Sequence, residues 1–71
     1  MPETRWIGKR DRSISLREQY DNPANWSNGV PRDGYHVYIS YVDWHAMDGF
    51  AGVDSSDVML ESFNIGAEPD G

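Results

Sequence analysis

The sequence predicts a mostly β fold: one small module of short strands joined by long ordered loops. Three observations predict it. Tyr35-His36-Val37-Tyr38-Ile39-Ser40-Tyr41-Val42 is dense in residues that fill a pleated, half-buried surface. Just before it, Asn25-Trp26-Ser27-Asn28-Gly29-Val30-Pro31 is a tryptophan-bearing polar turn closed by a Gly/Pro break. Near the end, Asp57 to Gly66 holds two apolar pairs, Val58/Leu60 and Phe63/Ile65, in opposite strand phase.

In chain order, Arg5-Trp6-Ile7 is a short extended segment with large side chains, and Gly8-Lys9-Arg10-Asp11-Arg12 is a charged turn. Ser13-Ile14-Ser15-Leu16-Arg17 alternates as a brief strand would, with Ile14 and Leu16 on one side. A helix through Ser15 to Tyr20 competes with it, with Ser15 and Glu18 placed as a capping box; the stretch is too short for period to decide. Asp21 to Trp26 reads as one tight helical turn: Asn22 caps, Pro23 suits the first helical position, and Trp26 is thrown inward as a plug. Gly29 is free to take positive φ and end it. Val30 to Gly34 is a second turn with Pro31 at its first corner.

In the strand Tyr35 to Val42, Tyr35, Val37, Ile39 and Tyr41 share the expected core face, and His36, Tyr38, Ser40 and Val42 the other. Asp43 to Ser56 is expected to be a long loop, of a length that is often functional. In Asp57 to Gly66 a corner or bulge at Glu61-Ser62 brings both apolar pairs to one side. Strand, corner, strand is how a chain wraps around a coil. Such a rung buries its inward side chains against a neighbouring rung. The sequence stops at Ala67-Glu68-Pro69-Asp70-Gly71, so the expectation is that this rung docks on another chain or opens a longer protein. The predicted core is Trp6, Trp26, Val37, Ile39, Val58, Leu60, Phe63 and Ile65, with Trp6, Trp26 and Phe63 as its anchors.

The chain has 71 residues. A domain this short buries only roughly 60% of its extended-chain surface and is marginal alone. Disulfides and thiolate zinc are excluded, because there is no Cys. Two histidines, His36 and His45, are too few for a structural zinc. Aromatic packing, a bound cation or association remain, and association is the expected remedy. Twelve Asp and Glu face six Lys and Arg. Arg5, Lys9, Arg10, Arg12 and Arg17 fall in the first nineteen residues, a basic N-terminal arm. The Trp-anchored region from 20 to 71 holds only Arg32 against most of the carboxylates. Such a split can draw the two parts together within or between chains. The acidic balance argues against nucleic acid, which demands phosphate neutralisation. Met1-Pro2-Glu3-Thr4-Arg5 has no apolar leader character, and no run approaches membrane-spanning length.

With these residues on the page a likeness becomes usable. Trp6-Ile7-Gly8, Asn25-Trp26-Ser27-Asn28-Gly29-Val30-Pro31, Gly34, Val37-Tyr38-Ile39 and Val58 to Gly66 resemble the N-terminal region of β-helical proteins encoded beside bacteriophage virion genes. They are similar also to the opening of repeats in autotransporter-type bacterial adhesins. Where that family carries Gly-Asp before the main strand, this chain has Gly34-Tyr35. The resemblance implies the capping end of a right-handed β-helix. It also implies a non-enzymatic virion or surface component: a head decoration, head fibre or tail-spike part, located in the virion after assembly in the host cytoplasm.

Other chemistries fare worse. Tyr35, Tyr38, Tyr41 and Trp44 cannot form one sugar platform along a strand, because Tyr38 points the other way. Asp43, Asp48, Asp54 and Asp57 lack the spacing of an EF-hand, so no calcium is expected. His36 and His45 stand without a nucleophile motif or phosphate loop, and pockets of ordinary ligand size need more chain, so no enzyme and no cofactor is expected. Trp44 sits between Asp43 and His45, where it either packs beneath the loop or serves as an interface anchor. The expectation is therefore a structural attachment or decoration protein of a bacteriophage virion. It would contact capsid or tail subunits, as a homo- or hetero-oligomer, through Arg5, Lys9, Arg10, Arg12, Arg17, Trp44, Met47 and Phe50. A carbohydrate-binding surface module using loop aromatics is the alternative.

Overall fold

The computed structural model describes residues 2–54 and 56–66. The expected terminal segment Ala67 to Gly71, with Glu68 and Asp70, lies outside the described residues. The elements run β1 (Glu3–Arg5), α1 (Leu16–Tyr20), a 3-10 turn (Pro23–Asn25), β2 (His36–Ile39), α2 (Tyr41–Ala46), a second 3-10 turn (Asp48–Phe50) and β3 (Ser62–Ile65). The strands form one parallel sheet in the order β1-β2-β3. Parallel neighbours require crossovers rather than hairpins, and both crossovers here are helical.

That overturns the mostly β expectation and the β-helix cap with it. Strands of three, four and four residues stand beside helices of five and six, so the domain is mixed. The physical reason is capping. Ser15 Oγ accepts from Glu18 N, so the helical alternative for Ser15 to Tyr20 wins over the strand. Ser40 Oγ accepts from Asp43 N at 3.0 Å, and the strand ends at Ile39, three residues earlier than expected. Tyr41 and Val42 thus leave the sheet and enter α2, where both are exposed. Val58 to Leu60 is no strand either. Met59 N donates to Asp33 Oδ1 and Gly34 N donates to Met59 O, which hooks this segment onto the Arg32-Asp33-Gly34 turn.

Other local expectations are met. Asn22 Oδ1 accepts from Ala24 N at the start of the Pro23–Asn25 turn. Gly29 and Gly34 take φ of 86° and 80°. The expected corner at Glu61-Ser62 is a bend where both N–H groups donate to Tyr35 O.

The core is largely aromatic. Trp6, Tyr20, Trp26, Val37, Ile39, Met47 and Phe50 are buried. Trp6 meets Trp26 and Phe50 edge-on, and Tyr20 meets the same two rings edge-on, all with centroids 5.2–5.4 Å apart. Such pairs add about 0.5–1.5 kcal/mol each beyond area burial. Trp26 also donates its indole N–H to Tyr20 O at 2.8 Å. Of the predicted core, Val58 and Leu60 are half-buried, and Phe63 and Ile65 remain 38% and 42% exposed.

The N-terminal residues belong to this same body. β1 pairs with β2, and Trp6 N donates to Tyr38 O. Ile7 N donates to Asn25 O at 2.8 Å, which draws Gly8 against the Asn25 side chain. A Cβ at Gly8 would lie 2.9 Å from Asn25 Cβ and closer still to its amide. Asn25 cannot simply swing away, because its Nδ2 donates to Gln19 O. Gly8→Ala is therefore expected to destabilise the fold by about 1–3 kcal/mol, read as a lower midpoint in urea unfolding. An unchanged midpoint would mean the two loops are not held this closely.

Candidate docking surface

The surface of interest lies where the sheet ends. Phe63 and Ile65 pair with Val37 and Ile39, so they continue the face that carries the core. Val37 and Ile39 are fully buried; their β3 partners are not. The other face of the same pair is polar and fixes register. His36 Nδ1 and Ser62 Oγ are 2.7 Å apart, and Asn64 Nδ2 donates to Ser62 Oγ and to Val37 O.

The two sheet edges differ. Beyond β1 the Ser27-Asn28-Gly29 turn closes the edge. Ser27 N donates to Arg5 O, Arg5 N to Ser27 Oγ, Asn28 Nδ2 to Glu3 O and Thr4 Oγ1 to Gly29 O. Beyond β3 there is no such cover among the described residues. Ser62 N and Gly66 N point to β2, donating to Tyr35 O and Ile39 O. Alternation then turns the N–H and C=O groups of Phe63 and Ile65 outward.

α2 and the turn after it build the wall beside this edge. Tyr41, 63% exposed, stacks edge-on with His45 four residues later and lies against Gly66. Trp44 meets Phe63 and Phe50, with centroids 5.5 and 6.1 Å away. Asp48, Gly49 and Phe50 all take left-handed φ, 53°, 63° and 55°. For the two residues that are not glycine this costs about 1–2 kcal/mol each. The turn is held by Arg10, whose Nη1 donates to Ala46 O and to Asp48 Oδ2 at 3.0 Å, and by burial of Phe50 among the core rings. The outcome is an open aromatic cleft of about 240 Å³ lined by Tyr20, Trp44, Gly49, Phe50, Val53 and Phe63.

The predicted contact residues separate into four groups. Arg5, Lys9 and Arg12 are exposed. Arg10 and Arg17 hold the chain to itself: Arg10 as above, Arg17 by donating to Asp21 Oδ2 and Asp54 O. The Asp21 carboxylate raises the Arg17 pKa further above its ordinary value. Met47 and Phe50, expected on a contact loop, are buried core residues, because that loop is really α2 and a turn. Trp44 is half-buried, at the cleft mouth beside Phe63. Trp6 and Trp26 are anchors in the core. Sequence reasoning missed Tyr41 and Ile65 as surface residues. The Ser40-x-x-Asp43 spacing was the available signal for the first; the second had none.

Among the described residues no group of three acidic or histidine side chains is placed to hold a metal ion, and no helix is long and apolar enough to cross a membrane. Comparison with known protein families, curated proteins and solved structures finds no match.

Proposed function

We propose that this chain is a non-enzymatic attachment module that joins a larger assembly through the β3 end of its sheet. The single observation that supports this is the apolar face left open there: Phe63, Ile65 and Tyr41 exposed beside a strand edge that no described residue covers. A small domain gains most by covering such a patch with another protein. The setting is a bacteriophage virion, on the likeness carried by Trp6-Ile7-Gly8 and Asn25 to Pro31. The partner is then a capsid or tail subunit.

The carbohydrate alternative draws on the aromatic cleft. Of its lining side chains only Tyr20 and Trp44 carry a hydrogen-bonding group, and the Tyr20 hydroxyl is buried. Sugar recognition relies on several placed polar groups, so the cleft is better suited to an apolar side chain. Attachment is tested by banding particles from an infected-cell lysate on a density gradient and probing for the chain. The wild type is expected to band with particles. A Phe63→Asp, Ile65→Asp double variant, folded by circular dichroism, is expected to stay at the top. Wild-type chain absent from the particle band would reject the virion role.

A further inference from the structure

Building on that attachment role, we propose that the β3 edge takes up an extended segment of a different polypeptide as a fourth strand. That segment carries apolar side chains at alternate positions and Lys or Arg at its flanks. The outward N–H and C=O groups of Phe63 and Ile65 supply the backbone ladder. Their side chains, with Tyr41 and Trp44, form an apolar shelf at that edge. A strand laid there would place alternate side chains on the shelf, the first of them toward the Trp44–Phe63 cleft.

Charge selects the occupant. No Lys or Arg follows Arg32 in the sequence. Glu61, directly before β3, and Asp43, beside Trp44 on α2, take part in no ion pair among the described residues. A second copy fits poorly in both available ways. Pairing β3 with its own copy would bring together two chains that each carry a formal net charge of -6. Stacking β3 on β1 of a neighbour is obstructed by the Ser27-Asn28-Gly29 turn that already binds that edge. A basic strand from another protein meets neither obstacle.

The test uses the whole chain, isotopically labelled, and the peptide acetyl-Lys-Val-Thr-Val-Thr-Val-Lys-amide as probe. The Phe63 and Ile65 amides are expected to shift and to exchange more slowly with solvent. The basic peptide should bind roughly fivefold more tightly than the same peptide flanked by Glu, with the gap closing at high salt. Ile65→Pro removes an outward N–H without touching the bonds to β2, since proline is tolerated on such an edge; it should abolish binding while the melt is kept. Should that variant not fold, a probe N-methylated at every residue loses the backbone donors of both its edges and should fail to bind. Equal binding of acidic and basic peptides, or binding indifferent to N-methylation, would overturn strand addition. So would a concentration-dependent dimer of the chain that Ile65→Pro dissolves, because the occupant would then be a second copy. Ile65→Pro chain that still bands with particles would leave attachment standing and remove only the strand.

Discussion

Trp26→Ala is expected to abolish the cooperative melt of this domain. The side chain is 3% exposed and touches Trp6, Tyr20 and Phe50 at once. Truncation leaves a cavity costing about 3–5 kcal/mol. It also strips Tyr20 O of the indole donor, worth about 1 kcal/mol more. At about 0.05–0.15 kcal/mol per residue, a domain of this length has only about 4–10 kcal/mol in total. Trp26→Phe keeps most of the ring and loses the donor, so it should melt cooperatively at a lower temperature. Near-ultraviolet circular dichroism during a thermal scan reads both. A Trp26→Ala protein that melts sharply within a few degrees of the wild type would show that the aromatic cluster is not what holds the fold.

Trp26 was legible in the sequence because its signals are local: Asn22 and Pro23 fix one helical turn, and the turn aims the ring. Val37 and Ile39 were legible for the same reason, since two-residue periodicity needs no knowledge of the partner strand. α2 was not. Tyr41 and Val42 favour a strand by type, and the Ser40–Asp43 cap overrode them with a helix whose aromatic Trp44 packs on the core. The parallel pairing of β2 with β3 joins residues some 26 positions apart, and one sequence carries no signal of which strands meet.

The docking surface shows the same boundary. Parity placed Phe63 and Ile65 on the core face, and they are on it. What parity cannot tell is where the sheet stops; among the described residues it stops at β3, so a correctly assigned inward face lies partly open. Met47 and Phe50 fail in the opposite sense. Their stretch is acidic and contains two glycines, which is loop composition, yet the left-handed turn at Asp48 to Phe50 folds Phe50 into the aromatic cluster. That conformation is set by Arg10, thirty-eight residues away from Asp48.

Gln19, in a stretch where the sequence offered least, carries the second large effect: Gln19→Glu, a change of one atom type, should nearly unfold the chain at neutral pH. Gln19 is 1% exposed. Its Oε1 accepts from Asp11 N at 2.7 Å, and its Nε2 donates to Asp11 O, Ile14 O and Ser15 O. A carboxylate keeps the first bond and turns an acceptor toward three carbonyl oxygens. An uncompensated buried charge of this kind costs about 3–5 kcal/mol. Burial and the facing carbonyls would hold the new carboxyl above the usual range in the folded state. The folded variant then binds its proton more tightly than the unfolded chain, so its stability is greatest below about pH 4.3, the unfolded value, and falls as pH rises. The parent chain has the reverse tendency in acid. Hydrogen bonds from Ser13 and Ser56 hold Asp11 and Asp54 below the ordinary carboxylate range, so their contribution is lost as pH falls through that lowered range. Melting temperatures at about pH 4.5 and about pH 7.5 should therefore fall with pH in the variant and hold or rise in the parent. Gln19→Met, close in shape but uncharged, should be less stable than the parent at both values and no more pH-dependent than it. Should Gln19→Glu melt like the parent at the higher pH, the turn from Asp11 to Ser15 is organised by something other than this carboxamide.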